Sequence, residues 1–534
     1  MSITTNANLR PPHLALDEHD FDNAVYWKTV MPRKFTVPLT GQPGTRISKS
    51  NAQTGASGVV GIGIVGQMIV GATAQATDKD ERWINCFLTT VGGRKKILKR
   101  PGYATNTTPE AGSIGNAILI WTGASNKIMT AFGNTNSTLY DGTTSKGAIT
   151  GLARSITETK VGNNVATVLI PSADSTAWYY DNGASVAVAT KISDGDFPGN
   201  AGYTTAGSFA SIDGFNCIMS TDGKLWASDL NSITGWTANS YDSANDYPDS
   251  AVGCIRWKDK VIAFGTESMQ FFYNAGLTPF PLAKVGGNST IKIGAISADA
   301  IATISDYVYW IGGTDKGGLT IYQYDGSVSR ISTPEIDAQM VLYSTTGMSV
   351  STERVYGRSF VLVKIGTTTT YCYCIEDKRW YERQTTTPLW YKCAGLSSGS
   401  QIITYAISNV STSGKVYIIN PSSLVFTDDG AAFTASVQSN SDDGGTPYRK
   451  FYGEFRLDAD VEPTTSTLTV SYSDDDFATF VVAGTIDLSA PQKLTRLGAS
   501  SPTAWNKRAW KLSHSANTAM GIYQADYFAD VGTA

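Results

Sequence analysis

The sequence has few of the residues that carry acid–base catalysis near neutral pH. Only three histidines occur in 534 residues: His13, His19 and His514. Two lie near the N terminus and one near the C terminus, so no Ser–His–Asp triad and no histidine-based metal cluster is indicated. The carboxylates mostly occupy predicted turns, where capping of backbone amides already explains them, although a glycosidase pair stays open as an alternative. We expect no enzyme activity, no cofactor and no catalytic or metal site.

Charge is also scarce, because charged residues make up only 16% of the chain. The 42 Lys and Arg against 46 Asp and Glu give a net charge of −4, which excludes a broad basic surface for nucleic acid. A low positive charge does not exclude DNA that passes along the protein, because many phosphate-binding cations would hinder its sliding. Together with 52 Gly and 26 Tyr, the low charge favours strands and turns over exposed helices.

Cysteine usage gives no sign of a disulfide framework or a metal site. The six cysteines form no CxxC pair and have no neighbouring histidine: Cys86, Cys217, Cys254, Cys372, Cys374 and Cys393. Cys372 and Cys374 flank one residue of a predicted strand and would share a face, but two ligands alone do not make a metal site. We expect reduced, packed cysteines in a protein that folds in a reducing cytoplasm.

The chain also lacks a long hydrophobic segment, and its first twenty residues do not have the pattern of a secretory signal. The run GVVGIGIVGQMIVGA at residues 58–72 has about fifteen residues and many glycines, too short and too Gly-rich for a membrane span. Its GIGIVG matches the dinucleotide fingerprint formally, but no helical period follows, so no nucleotide site is predicted. Two interpretations stay open: a pair of buried or self-associating strands, or an apolar loop at one end of an assembly that meets a partner or a membrane.

What the chain has instead is a repeat. From about residue 83, each unit contains a hydrophobic strand, a turn and a second strand that ends in Asp or Asn beside a small residue. The seven endings are Asp141, Asp181, Asp229, Asn274, Asp325, Asp377 and Asn420. By subtraction they are 40, 48, 45, 51, 52 and 43 residues apart, and a period of about 40–50 residues with four strands per unit is typical of a β-propeller. The sequence therefore predicts an all-β chain with a propeller of about six or seven blades.

The pattern changes at both ends of the repeat. Residues 1–35 are irregular and are predicted to form an N-terminal arm, and residues 36–81 hold a strand plus the Gly/Val-rich insertion. The propeller is assigned to residues 82–428. Longer strands with fewer glycine turns then predict a C-terminal β-sandwich-like domain at residues 429–534.

Two local features of the chain admit a functional or a structural interpretation. SYSDDDFATF at residues 471–480 resembles an Asp-box turn, and a capping turn is favoured over a calcium site because adjacent strand residues point to opposite faces. Arg354 and Arg358 are close in sequence, but no third arginine completes the cluster that a propeller sialidase needs for its substrate carboxylate.

Tryptophans bear on a further alternative, a glycan-binding or receptor-binding propeller. Such a module needs similar aromatic pockets in each blade. The tryptophans sit at unequal places relative to their turns, which favours core and rim packing: Trp178, Trp226, Trp257, Trp310 and Trp380.

Several segments in a fixed order resemble the tail hub, or nozzle, family of short-tailed bacteriophages, also called packaged-DNA stabilisation proteins. The similarity covers most of residues 82–530 and is strongest at 225–337. Its departures are the arm at 1–35 and the insertion at 58–76. The segments that carry it are LWASDLNSITGW (225–236), SANDYPDSAVGCIRWKDKVIAFGTESMQFFYNAG (243–276), IKIGAIS (291–297), DYVYWIGG (306–313), YDGSVSRIST (324–333), RWINCFLTT with KRPGYAT (82–105), and RKFYGEFRL, SYSDDDFATF and RLGASSPTAWNKRAWKL near the C terminus.

The resemblance implies a non-enzymatic protein of the virion tail, assembled in the host cytoplasm. It implies a homohexameric tube below the portal and its adaptor, which extends the channel for genomic double-stranded DNA, retains the packaged genome and opens for ejection. The implied partners are other copies of the chain, the portal–adaptor complex, tail spikes or fibres, and a tail needle or plug. No stable membrane span is expected.

Overall fold

The structure, a computed structural model, consists almost entirely of β-strands. It describes residues 81–532 except 123–125, 162–164, 182–187, 245, 287–289, 314–317, 367–368, 386–391, 399–400, 411–412, 492 and 497–503. Upstream of residue 81 it describes three strands, which are β1 (Arg33–Thr36), β2 (Arg46–Lys49) and β3 (Ile62–Gln67). Residues 1–32 of the predicted arm and the rest of the apolar run at 58–72 lie outside the described residues.

Four strands precede the repeat. They are β4 (Arg82–Ile84), β5 (Cys86–Val91), β6 (Arg94–Lys99) and β7 (Ala104–Thr107). β5 and β6 form an antiparallel hairpin, whereas β4 and β7 pair with strands that are about 300 residues away in sequence.

Five four-stranded antiparallel sheets follow, and we call them blades I to V. Blade I contains β8 (Gly115–Trp121), β9 (Lys127–Phe132), β10 (Ser137–Asp141) and β11 (Thr144–Ile149), and blade II contains β12 (Thr157–Val161), β13 (Val165–Pro171), β14 (Ala177–Asp181) and β15 (Thr190–Lys191). Blade III contains β16 (Thr205–Ile212), β17 (Phe215–Ser220), β18 (Lys224–Ser228) and β19 (Trp236–Ser243), and blade IV contains β20 (Ala251–Trp257), β21 (Lys260–Gly265), β22 (Met269–Asn274) and β23 (Leu282–Lys284). A 3₁₀ helix (Ala298–Ala300) leads into blade V, which contains β24 (Ile301–Ile304), β25 (Tyr307–Gly312), β26 (Thr320–Tyr324) and β27 (Val328–Arg330).

Blades VI and VII complete the propeller. Helix α1 (Pro334–Met340) precedes blade VI, where the hydroxyl of Thr333 caps the amide of Ile336. Blade VI contains β28 (Ser349–Val355), β29 (Arg358–Lys364), β30 (Thr369–Cys374) and β31 (Arg379–Gln384), and blade VII contains β32 (Lys392–Ser398), β33 (Gln401–Ile407) and β34 (Val416–Ile419). The fourth strand of blade VII is β7, from the front of the chain.

The remaining strands follow blade VII, and all but two of them belong to a two-sheet sandwich. They are β35 (Thr427–Asp428), β36 (Ala431–Ala432), β37 (Ala435–Gln438), β38 (Lys450–Ala459), β39 (Thr467–Ser473), β40 (Val481–Asp487), β41 (Leu494–Arg496), β42 (Ala509–His514) and β43 (Gly521–Val531). One sheet has the order β4-β37-β42-β39-β40, and the other is built on β43, which pairs with β3, β38 and β6. Only the two-stranded pair β35–β36 stands outside both sheets.

The repeat inferred from the sequence corresponds to real blades. Each of the seven Asp or Asn endings lies at or just after the end of the third strand of a blade. The predicted all-β fold with a propeller and a sandwich is therefore confirmed, and the blade number is seven. The inner strand of blade VII, β32, contacts that of blade I, β8, which closes the ring.

The faces of neighbouring blades bury a continuous apolar layer. Leu169 of blade II packs with Phe209 and Trp226 of blade III in one such layer, and all three side chains are buried. Burial of one large apolar side chain contributes about 1.5–3 kcal/mol. Each layer between blades therefore resists the separation of its two sheets.

The structure differs from the predicted domain boundary at residue 82. Strands β4 to β6 lie in the sandwich, although the sequence analysis assigned them to the propeller. Their aromatic and apolar residues fit either sheet, so the local pattern does not distinguish the two locations. Long-range pairing decides, because β4 pairs with β37 and β6 with β43.

Closure by β7 depends on a tight passage of the chain at Gly102. A Cβ atom at this position would overlap the backbone of Thr427, next to the pair β35–β36. We expect Gly102→Ala to lower the free energy of unfolding by about 1–3 kcal/mol, as overpacking typically does. Thermal and urea unfolding of the purified protein measure this change.

Gly195→Ala is the matched control for that substitution. A Cβ atom at Gly195 would have no neighbour within 4 Å, so its effect should stay within about 0.5 kcal/mol. Equal stability of the two variants would contradict the closure argument.

Candidate functional site

The propeller and the sandwich share a sheet at blade VI. The outer strand β31 pairs in parallel with β4 through Glu382 and Ile84. The guanidinium of Arg82 donates to both carboxylate oxygens of Glu382, with Nε–Oε2 and Nη2–Oε1 distances of 2.6 and 2.7 Å. The two domains are thereby joined by backbone pairing and by a bidentate ion pair.

A buried arginine lies at the centre of this junction. Arg100 donates from Nη1 and Nη2 to the carboxylate of Asp428 at 2.9 and 2.5 Å, and both side chains are only 2% exposed. Its Nε donates to Asn85 Oδ1 at 2.9 Å, and its guanidinium lies 3.8 Å from the ring centroid of Phe433. Arg100 therefore ties the link between β6 and β7 to the segment that follows blade VII.

A second buried pair lies beside the first. Arg383 donates to Glu353, and the hydroxyl of Tyr103 donates to the other oxygen of Glu353 at 2.6 Å. Burial, together with the charge of Glu353, raises the pKa of Tyr103 well above its usual range. These groups are paired and enclosed, so the arrangement holds domains together and offers no accessible nucleophile.

A third polar cluster, formed by Arg154, Asp299 and Lys392, closes one end of the propeller axis; we call it the axial cluster. Nζ of Lys392 donates to Oδ1 of Asp299 and to the carbonyl oxygens of Asn116 and Arg154, each at 2.7 Å. Arg154 in turn donates to the carbonyl oxygen of Thr205 at 2.9 Å. The cluster links blades I, II, III and VII with the 3₁₀ helix that precedes blade V.

Backbone packing adds to this seal. A Cβ atom at Gly207 would lie 2.6 Å from the Cβ of Ala298, so the 3₁₀ helix rests directly on the inner strand of blade III. The bore beyond it forms a cavity of about 650 Å³, lined by the inner strands of blades II to V. A separate cavity of about 530 Å³ lies beside blades VI and VII and is lined by Tyr356, Glu376 and Leu424 among others.

The tryptophans named in the sequence analysis serve mainly in packing. Trp226, Trp310 and Trp380 are no more than 2% exposed, and each belongs to a core between blades. Trp178 and Trp257 are partly buried against such cores. None of the five forms a repeated exposed platform of the kind that a glycan-binding propeller would use.

Comparison with protein families identifies the repeat region. Residues 119–413, more than half of the 534-residue chain, match the sequence profile of Phage_stabilise, described as "Bacteriophage P22 Gp10, beta-propeller". This chain belongs to that family. The matched span begins within β8 and ends before β34, so it covers part of β8, the other six inner strands and the axial cluster of this Phage_stabilise member.

The other comparisons add little. Comparison with curated protein sequences gave no match. Among solved structures, the N-terminal domain of Nup159 aligns over 62% of this chain and 97% of its own, with 10% identity and a TM-score of 0.37. YCF48 from Cyanidioschyzon merolae aligns over 60% of this chain and 99% of its own, with 12% identity and a TM-score of 0.38. Such scores support no functional conclusion.

The cysteines of this Phage_stabilise protein have the packing role that their spacing suggested. All six lie in the described part of the chain, and all six are free thiols. Cys372 and Cys374 face the same core, and burial raises the pKa of each to about 12. In the described segments, no group of three or more His, Cys, Asp or Glu side chains is arranged to hold a metal ion.

The two arginines and the acidic turn are also engaged in structure. Arg358 pairs with Asp377 at 2.7 Å, and Arg354 donates to the hydroxyl of Ser305. In the turn at residues 471–480, Asp475 accepts from the amide of Thr479 at 2.9 Å, which is a capping role. Over the residues with a described structure, no helix is long and apolar enough to cross a membrane.

Sequence reasoning missed the junction completely. Arg100, Asp428, Glu353 and Arg383 are scattered in sequence and carry no motif. The one available signal is positional: a charged residue on the inner strand of a blade, such as Glu353 of β28, is rarely buried without a partner. That signal marks a buried pair without naming the partner.

Removal of Asp428 should be costly because it leaves the Arg100 charge buried and unpaired. We expect Asp428→Ala to lower the free energy of unfolding by about 3–5 kcal/mol. Asp458→Ala is the control, since the Asp458–Arg94 pair is more than half exposed and such pairs contribute about 0–1 kcal/mol. Urea unfolding measures both, and similar losses for the two variants would contradict the role of the junction.

His514 gives the sandwich a pH dependence. Its Nε2 lies 2.7 Å from the hydroxyl of Ser466, and burial, aided by the charge of Lys99, lowers the pKa of His514 to about 4. The unfolded chain therefore binds this proton from about pH 6.5 downward while the folded chain binds it only near pH 4. The stability contributed by the neutral ring is complete above pH 6.5 and is lost as the pH falls toward 4.

The variant His514→Gln tests this dependence. It keeps an amide for Ser466 but has no titrating group, so the loss of unfolding free energy between pH 6.5 and 4 should be smaller than in the wild type. Urea unfolding at pH 7.0, 5.5 and 4.5 measures both proteins. Parallel pH profiles for the two would refute the assignment.

Proposed function

We propose that this chain is the subunit of a hexameric tail nozzle of a short-tailed bacteriophage. The nozzle extends the DNA channel below the portal and adaptor, retains the packaged genome and opens for ejection. The observation that carries the proposal is the Phage_stabilise match across the propeller. Its role is mechanical and not enzymatic, in a virion tail assembled in the host cytoplasm.

In this proposal DNA passes between copies of the chain and not through the bore of any one propeller. The bore cavity of about 650 Å³ is far too small for a duplex, and the axial cluster obstructs it. A ring of copies with heterologous contacts creates a wider central passage, because each copy presents one surface to the next.

Charge supports a non-adhesive conduit. Six copies at −4 each carry 6 × −4 = −24, and a surface of low positive charge does not hold DNA through its phosphates. We expect the channel-facing surface of the assembly to be neutral to acidic. A lumen lined by Lys and Arg in a structure of the assembly would refute this expectation.

The proposed partners follow from the same position in the tail. The portal–adaptor complex meets one end, the tail needle or plug meets the other, and spikes or fibres attach at the side. The shared sheet at blade VI and the buried pairs at the junction favour a subunit that transmits force between these contacts without separation of its domains.

The test is electron microscopy of particles from an infection in which this gene carries an early stop codon. We expect heads with portal and adaptor, no tail tip, and mostly no DNA, because nothing retains the genome. Complementation with the wild-type gene is the control and should restore full particles. Full heads with intact tubes that lack only side appendages would instead assign the chain to the receptor-binding class.

A further inference from the structure

One register position recurs on the inner strand of every blade as a ring around the propeller axis, and in blades II, IV, V and VI its side chain is exposed. In each blade, the second-to-last residue of the inner strand pairs with the second residue of the next strand, so the seven positions are equivalent in register. In blade order from I to VII they are Ile120, Lys160, Ser211, Arg256, Thr303, Arg354 and Ser397.

Cations and hydroxyls alternate from blade II to blade VI. Blades II, IV and VI contribute Lys160, Arg256 and Arg354, and blades III and V contribute Ser211 and Thr303, whereas blade I contributes the buried Ile120. Structural needs do not explain three cations at equivalent axial positions, because Lys and Arg are costly to order and are normally solvated. An alternation of charge and hydroxyl at one level of the axis is suited to a ligand.

Four members of the ring line the bore cavity itself. Lys160, Ser211, Arg256 and Thr303 all face the cavity of about 650 Å³, a volume within the range of small-molecule sites. The axial cluster lies at the opposite, N-terminal ends of the inner strands, where it contacts Thr205 of blade III. The ring therefore lies at the other end of the axis, which we call the mouth.

The two cations of the cavity are not neutralised by neighbours. Both Lys160 and Arg256 are exposed, and the ion pairs found among the described residues include neither of them. Arg256 is held at the mouth by a hydrogen bond from Nε to the carbonyl oxygen of Lys258 at 3.0 Å. Arg354, on blade VI, donates to the hydroxyl of Ser305 at 3.1 Å.

Two carboxylates also line the cavity, and each already accepts a hydrogen bond. Glu158 accepts from the hydroxyl of Thr122 at 3.0 Å, and Asp213 accepts from the amide of Asn274 at 3.1 Å. Asp213 has further lone pairs for ligand hydroxyls. The mouth thus combines cations for an oxyanion with hydroxyl and carboxylate groups for a polyol.

We propose that this mouth binds a small polyhydroxylated anion, such as a sugar acid or a sugar phosphate. The carboxylate or phosphate lies between Lys160 and Arg256, and charge-assisted hydrogen bonds hold it there. The ligand hydroxyls pair with Thr303, with Asp213 and with Ser211, which donates its own hydroxyl proton to Asn216 and therefore accepts. This site is independent of the proposed nozzle function, because it needs only a folded propeller.

Calorimetric titration of the full-length protein tests the site with three probes: glucuronic acid, glucose 6-phosphate and glucose. Binding of either anionic sugar without measurable binding of glucose would support the proposal. Binding of glucuronic acid alone would identify a carboxylate ligand, and binding of glucose 6-phosphate alone a phosphate ligand. No binding of either anionic sugar, or equally tight binding of glucose, would overturn it.

Matched variants locate the binding. Lys160→Ala and Arg256→Ala should each raise the dissociation constant at least about tenfold, since each removes a charge-assisted contact. Lys258→Ala is the control: it removes the same charge at the same mouth, but Lys258 faces Asp306 and does not line the cavity. Unchanged affinity in both cavity variants, or equal weakening in the control, would refute the location.

A folding measurement keeps this comparison valid. Lys160 and Arg256 are exposed, so the thermal midpoints of the variants should match the wild type. If a variant does unfold, Lys160→Gln and Arg256→Gln keep most of the side chain, and a tenfold loss of affinity is expected for them as well.

Discussion

Closure of the propeller by a strand from the front of the chain is the constraint on which the other features depend. Strand β7 completes blade VII, and the link that leads to it carries Arg100, whose partner Asp428 lies 328 residues downstream. Neither the ring nor the sandwich is complete until these distant segments meet. The entropic cost of closing a loop rises only slowly with the length of the loop. The long separation therefore affects the order in which segments fold more than the stability of the folded protein.

The buried pairs at the junction are better understood as a device for register than as a source of stability. Two charges that become buried lose favourable hydration free energy, and their mutual attraction barely compensates for that loss. Arg100, however, has bonding partners on two other segments, at Asn85 and Asp428, and a shifted β7 would leave its guanidinium buried without them. The energetic penalty for a wrong register is thus much larger than the gain for the correct one. Closure with β7 in the right place follows from that difference.

The sequence predicted the blades but not how the ring of blades closes. Asp and Asn at the seven repeat endings favour turns that need positive φ or side-chain capping, and that local chemistry predicted the repeat. Strands β4 to β6 alternate much as blade strands do, so only their pairing with β37 and β43 reveals the sandwich. The junction residues were beyond prediction for the same reason, since Glu353 and Arg383 meet through tertiary packing that no local pattern encodes.

The two ends of the propeller axis show how one repeat divides structural and surface roles. At one end, Lys392 of blade VII donates to Asp299 and to the carbonyl oxygens of Asn116 and Arg154, so it links blades I, II and VII with the 3₁₀ helix that precedes blade V. At the other end, Lys160 and Arg256 show no contact between blades among the described residues, and Arg354 donates only to the hydroxyl of Ser305 in blade V. A propeller needs its inner strands locked at only one level, because each strand is already held along its length by its own sheet. Residues at the other level are then free to bind a ligand, and the alternation of cation and hydroxyl occurs at that level.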